Sequence, residues 1–333
     1  MMCRAKQFVP ACGIVSPMPS ITQAFVLGAG LGTRLRPLTD DLPKPLIPIF
    51  QKPLISFALD HLIDIGVESF IINTHKLPDS FQRFFSEKND YEGYSIKLVN
   101  EPVLLETGGG IKNVEADLGV KPFITYSGDI LTDVDLQALI DEHFRCGNDV
   151  TLALRNTGLA AAVAFRNSRV VDISNRYGVA GNYDFANIAV WNPEIFERIP
   201  PNRKISFIPI IADWIGAGGK IGGVVLNEAK WFNIGSRIEY LEVHQMVSEE
   251  HWKPRYLKTP GWPESVAASA VVDPTAQLRG CSVVGKDCRV GEDAILEDTI
   301  LWPGAQIASR SELFGCIVRT RRKAEGVHRN IDM

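Results

Sequence analysis

Gly28-Ala29-Gly30-Leu31-Gly32-Thr33-Arg34 follows an apolar run, and ten residues beyond Arg34 a lysine stands between prolines, Pro43-Lys44-Pro45. Small residues at a strand-to-loop turn free backbone amides to surround phosphates, and Arg34 adds a planar cation. The flanking prolines predict an extended, donor-poor backbone at Lys44. That rigidity suits a fixed positive charge aimed at an anionic centre. The loop is not a dinucleotide fingerprint, which needs glycine where Thr33 stands and an acid where Gln51 stands, and the Gly-Lys-Ser/Thr of a P-loop is missing. The cysteines at 3, 12, 146, 281, 288 and 316 form no Cys-x-x-Cys pair, and the histidines at 61, 75, 143, 244, 251 and 328 have no ligand spacing. Phosphate handling is therefore the chemistry on offer, and the cysteines read as reduced cytosolic thiols.

The elements that position these residues alternate between two periods. Segments 23–30, 69–75, 95–101, 122–130 and 149–155 read as strands, while 54–65, 79–86, 109–118 and 135–145 read as helices. Such alternation predicts an α/β fold with a doubly wound, mixed but mainly parallel sheet whose ligands sit at the carboxyl ends of the strands. From 160 to 235 short strands surround a helix opening at Ser206, which predicts a mixed lobe for a second substrate. A helix over 237–249 follows. Residues 1–22 read as a disordered extension, with Met18 an alternative start, and HWKPRYLKTPGWPES (251–265) reads as a linker.

The C-terminal stretch has its own period. Val272, Leu278, Val284, Val290, Leu296 and Trp302 are spaced by six, and a one-residue slip then leads to Ile307 and Leu313. Small residues recur at Ala276, Ser282, Cys288 and Ala294. One short strand plus a turn per six residues predicts a short left-handed parallel β-helix over 266–320, a short β-sandwich being the alternative. Its flat faces and open last coil favour association of copies, and truncation after Arg255 is expected to leave activity at least partly intact. Arg319, Arg321, Arg322 and Lys323 read as a basic, solvated tail, with 321–333 outside the repeat.

Composition narrows the field. The 333 residues carry 35 Lys+Arg against 39 Asp+Glu, a net charge of −4, which argues against a nucleic-acid binder. No apolar run reaches the roughly 18 residues of a membrane span, so a cytoplasmic protein is expected.

G-x-G-T-R-L-R-P-L-T followed by P-K-P-L resembles the sugar-1-phosphate nucleotidylyltransferases. Leu105-Glu106-Thr107-Gly108-Gly109-Gly110, Ser127-Gly128-Asp129 and Trp231-Phe232-Asn233-Ile234-Gly235-Ser236 agree in order, across about 23–245 of a transferase domain expected over 23–250. The second loop is most similar to the N-acetylmuramate-1-phosphate uridylyltransferase branch. Mannose-1-phosphate guanylyltransferases with β-helix tails are the competitor. The resemblance implies transfer of a nucleotidyl group from an NTP, UTP or GTP, to a sugar 1-phosphate, with pyrophosphate leaving. It assigns Arg34, Lys44 and Asp129 to catalysis. Leu27, Gly28, Ala29, Gly30, Gly32, Thr33, Glu106, Thr107, Gly108 and Gly109 are expected around the nucleotide, and Asn187 at the sugar. Glu106 either meets base or ribose or braces its loop. Mg²⁺ is the expected cofactor, on Asp129 and Asn233. The family has an acid where Asn233 stands, which opens a second reading: a lapsed homologue that binds sugar nucleotides and regulates a partner. A homo-oligomer joined through the β-helix is expected. Asp133 and Asp135 read as helix caps, and Trp231 as a wall or core residue.

Overall fold

The computed structural model describes residues 20–85, 90–157 and 161–333, so most of the expected N-terminal extension lies outside the described residues. Eight strands form the central sheet: β1 Gln23–Leu27, β2 Ser69–Thr74, β3 Asp90–Tyr91, β4 Tyr94–Asn100, β5 Phe123–Ser127, β6 Val150–Arg155, β7 Asp184–Trp191 and β8 Ile221–Val225. Their spatial order is β8-β6-β7-β5-β1-β2-β4-β3. All pairings are parallel except those of β7, which runs against both neighbours, and of edge strand β3. β1 is central because both of its faces are apolar: Ala24 and Val26 pack in one core, Phe25 in the other. Helices α1 (Leu54–Asp64) and α4 (Leu136–Cys146) cover the first core, and α3 (Glu106–Asn113) and α5 (Phe207–Gly216) the second. Short α2 (Pro78–Phe84) buries Phe81 in the first.

Several expectations need correction. The first strand ends at Leu27, so the glycines are all loop. The 122–130 segment splits at Gly128-Asp129 into β5 and a short strand Ile130–Thr132, which pairs with Trp231–Asn233. The helix expected over 109–118 begins at Glu106 and is interrupted at Val114. The 160–235 region does not form a lobe of its own among the described residues: β7 and β8 complete the main sheet, while the hairpin Val163–Arg166/Arg169–Ile173 and the Trp231–Asn233 strand make small pairings beside it.

The 251–265 segment is not a spacer. Tyr256, Leu257 and Trp262 are buried. Tyr256 stacks on His61 with centroids 4.1 Å apart and donates to Thr132 O at 2.9 Å, while Trp262 donates to Ile49 O at 3.1 Å. The prolines suggested a linker, but aromatic rings with partners for their polar tips make this stretch part of the core.

The C-terminal strands stack in three parallel ladders, consistent with a β-helix. The register slip falls earlier than the six-residue spacing suggests: Val284 pairs with Leu301, not Trp302. Leu301 therefore faces the coil interior, and Trp302 turns outward and donates to Tyr240 Oη at 2.9 Å. Val283, Ile300 and Ile317 point the same way, onto helix α6 (Arg237–Glu249) and one shared core with the transferase domain. The basic stretch is not a loose tail. Lys323–Ala324 and Val327–Arg329 add strands to two ladders, and Arg319 reaches back to Pro37 O (3.0 Å) and Asp41 (2.7 Å).

Candidate active site

Parallel register sets Leu27, Asn73 and Ser127 side by side at the carboxyl ends of β1, β2 and β5. A cavity of about 550 Å³ opens there. Leu27, Gly28, Ala29, Gly30, Gly32, Thr33, Arg34, Lys44, Glu106, Thr107 and Asp129 all line it. Two loop glycines have steric reasons: a Cβ on Gly28 would lie 2.7 Å from Asn73 O, and Gly32 has φ +60° with Thr39 Cγ2 at 2.9 Å from its missing Cβ. At Gly30 the same position meets open space, so the backbone there is bare toward the cavity.

Lys44 lies only 9% exposed at the cavity floor. Its backbone corrects the extended expectation. Pro43 is extended, but Lys44 opens a single 3-10 turn closed by Leu46 N to Pro43 O (2.8 Å) and Ile47 N to Lys44 O (3.2 Å). The turn aims the ammonium at two oxygens. Lys44 Nζ donates to Asp129 Oδ2 at 2.5 Å and to Asn233 Oδ1 at 3.3 Å. Ser127 Oγ donates to the other Asp129 oxygen at 2.8 Å. Asn233 arrives because its strand pairs with Ile130, the neighbour of Asp129. Among the described residues no cluster of three or more His, Cys, Asp or Glu side chains forms. The donor set for a cation is thus one carboxylate and one amide oxygen, already converging on the lysine charge. Hard oxygens in this number suit Mg²⁺, which takes most of its remaining ligands from water and substrate phosphates.

The second loop divides. Glu106 has φ +61°, lines the cavity and sits 3.7 Å from Lys204 Nζ. Thr107 Oγ1 accepts from Phe207 N at 3.2 Å. Gly108 and Gly109 do not line the cavity. Their amides donate to Ile205 O at 2.8 and 2.9 Å, and a Cβ on Gly109 would lie 2.3 Å from Arg203 O. These glycines let α3 pack on the 203–207 segment. Asn187 is also outside the cavity, at φ +62° where the β6–β7 register shifts. Trp231 packs against the first core, one of the two roles expected: it donates to Ala186 O at 3.0 Å and carries Arg155 over its ring at 4.6 Å. Asp135 caps α4 through Ala138 N at 2.9 Å. Asp133 instead anchors Lys230 N (2.8 Å) and Trp252 Nε1 (3.1 Å).

Asn73 escaped the sequence reading. Its Oδ1 accepts from Gly28 N (2.8 Å) and Ala29 N (3.2 Å), and its Nδ2 donates to Glu101 Oε1 at 2.7 Å. Glu101, 1% exposed, accepts from Leu105 N at 2.9 Å through its other oxygen. The pair bolts the glycine loop to the second loop, and Gly110 is small because a Cβ there would crowd Asn73 Nδ2 and Glu101 Oε1, each at 3.1 Å. The available signal was a polar residue directly after the apolar run Phe70–Ile72, level with Leu27. Ser127 and Ser206 also line the cavity.

A sequence model of the nucleotidyl transferase family matches residues 23–250. The chain belongs to this family. It is 29% identical over 302 residues to mannose-1-phosphate guanylyltransferase of Mycobacterium tuberculosis, covering 89% of this chain and 82% of that one. It is 32% identical over 251 residues to N-acetylmuramate alpha-1-phosphate uridylyltransferase of Caulobacter vibrioides, covering 71% of this chain and all of the relative. The fold is similar to that of the inositol-1-phosphate CTP transferase from T. maritima, with a TM-score of 0.55 at 19% identity over 66% of this chain and 91% of the other.

Proposed function

We propose that the protein transfers a nucleotidyl group from UTP or GTP to a sugar 1-phosphate, releasing pyrophosphate. The observation that carries this reading is the convergence of Lys44, Asp129 and Asn233 beside the amide-lined glycine loop. Both substrates are anions, so the chain's task is alignment and charge. The loop amides beyond Ala29, whose own amide and that of Gly28 are held by Asn73, act with Arg34 to hold the departing β- and γ-phosphates. Lys44 meets the α-phosphate, where charge grows in the transition state. Asp129 and Asn233 would hold Mg²⁺, which when bound neutralises phosphate charge. Ser127 Oγ fixes the Asp129 carboxylate in place and would hold it ready for such a cation. The acceptor phosphate is ionised near neutral pH and needs no general base. Asn187 and the neighbouring β7 backbone form the sugar side of this reading.

The same reading includes a cytoplasmic setting and association of copies through the β-helix. Among the described residues no helix is long and apolar enough to cross a membrane. The amide at position 233 is the feature that favours a non-catalytic binder instead. A pyrophosphate-release assay pairing each NTP with a panel of sugar 1-phosphates and Mg²⁺ separates the two. Turnover with one or more pairs supports the transferase, and sugar-nucleotide binding without turnover supports the binder.

A further inference from the structure

A second cavity, of about 880 Å³, lies between the transferase domain and the strand coils. Arg83 of α2 lines one side, and Lys286, Arg321 and Arg322 line the other. In a protein of net charge −4 this is a local excess of cations. Asp41 is the acid in the lining, and its charge is already met by Arg319 at 2.7 Å and Arg322 at 3.1 Å. Arg83 donates to Ser80 Oγ at 3.1 Å. The side chains of Lys286 and Arg321 have no hydrogen-bond or ion-pair partner among the described residues. Their backbones are held in stacked turns, with Gly304 N on Lys286 O (2.8 Å) and Arg321 N on Pro303 O (3.1 Å). Two coil spacings separate them, about 9–10 Å. Between the cations the floor is apolar, built from Leu42, Leu46 and Phe84.

We propose that this cleft binds a phosphate ester and that its occupancy tunes the nucleotide site. The cations supply a phosphate subsite that reaches both domains, and the apolar floor supplies contact for an organic skeleton that bare phosphate lacks. Coupling follows from a shared wall. Arg34, Lys44 and Pro45 line the first cavity, while Asp41, Leu42 and Leu46 line the second. Lys44 and Leu46 are the ends of one 3-10 turn. A ligand that draws Arg322 from Asp41, or bears on Leu46, moves the same turn that aims Lys44 at Asp129. Two ligands that each favour a position of one element are energetically linked.

The test is titration calorimetry on the full chain with glucose 6-phosphate, inorganic phosphate and glucose. Glucose 6-phosphate is expected to bind with a Kd below about 1 mM, inorganic phosphate at least about tenfold more weakly, and glucose not at all. Lys44→Ala, which removes a cation of the first cavity, should leave that binding in place and shift it no more than about threefold through the shared turn. Lys286→Gln combined with Arg321→Gln should weaken it at least about tenfold, as should Arg83→Gln on the opposite wall. The side chains altered in these three substitutions are exposed, so folding should persist. Absence of binding, binding indifferent to these substitutions, or binding lost with Lys44→Ala would each overturn the site. Equal affinity for inorganic phosphate would overturn the ester assignment. The calorimetry does not depend on the proposed reaction. The kinetic arm does: glucose 6-phosphate should change the KM for NTP at least about twofold, and tight binding with unchanged KM would overturn the coupling.

Discussion

Asn233 and His244 show how a single side chain sets a measurable property. Asn233 presents a neutral oxygen 3.3 Å from Lys44 Nζ, where a carboxylate would add a full charge beside Asp129. Asn233→Asp is expected to lower the Mg²⁺ concentration for half-maximal turnover by roughly 3- to 30-fold, about 0.7–2 kcal/mol. A Mg²⁺ titration of initial rates reads this directly, and an unchanged midpoint would remove position 233 from the metal. His244 is fully buried between opposite demands. Its Nδ1 donates to Tyr240 O at 2.8 Å and its Nε2 accepts from Phe50 N at 3.0 Å, so protonation would set one N–H against another. Burial accordingly pulls its pKa down to about 4, and that of buried His61 to about 3. The unfolded chain binds these protons near pH 6.5 and the folded one does not, so stability is full above that pH and falls as pH drops toward 4. Urea unfolding at pH 7 and pH 4.5 should differ by at least about 2 kcal/mol, and His244→Gln should reduce the difference. Lys44 and Arg34 drew notice as residues because charge between prolines or after a glycine turn has few structural uses, Asp129 was singled out through the family resemblance, and all three line the cavity. Gly108 and Gly109 have a structural use of their own, since glycine serves a close backbone packing as readily as a ligand.

At the scale of elements, strand periodicity was the legible part. Every main-sheet strand except the two-residue Asp90–Tyr91 pair was foreseeable from apolar runs, and helices such as Leu136–Cys146 from their one-sided faces. Connections were less legible, because they rest on contacts far apart in sequence. The Asn73–Glu101 bolt spans 28 residues and joins two loops that no local pattern relates. Its polarity supports a strict test. Asn73→Asp would set two carboxylates face to face, and Glu101→Gln two amides that cannot satisfy both loops. Together they restore every bond in reverse: the introduced carboxylate accepts from Gly28 N and Ala29 N, and the introduced amide donates to it while keeping Leu105 N. Each single change should raise the KM for NTP at least about tenfold, near 1.4 kcal/mol, and the double variant should return within about threefold. A double variant as impaired as the sum of the singles would show that the pair does not act through this bond.

Across the whole molecule, the six-residue repeat foretold the coils but not what they lean on. Only the fold shows that the one-residue slip at Leu301 frees Trp302 to face Tyr240, or that Arg319 ties the last coil to Pro37 and Asp41. The β-helix thus braces the segment that carries Lys44. Truncation after Arg255 would strip the cover from Tyr240, Val243 and Val247 and cut the Arg319 strut. Beside the partial retention of activity expected from the repeat, the fold adds a second outcome: a melting midpoint lower by at least about 10 °C, given 2–4 °C per kcal/mol in a domain of this size. Differential scanning of full-length and truncated chains measures it, and an unchanged midpoint would mean that the shared core contributes little.

The central claim, nucleotidyl transfer at the Lys44–Asp129 site, is tested most directly by following label from an NTP carrying ³²P at either the α- or the γ-position, with the productive sugar 1-phosphate and Mg²⁺. The α-label should appear in the NDP-sugar and the γ-label in pyrophosphate, one for one, and Asp129→Ala and Lys44→Ala should each slow both at least about 100-fold in folded protein. Release of γ-label as inorganic phosphate, or transfer undiminished in both variants, would contradict the account.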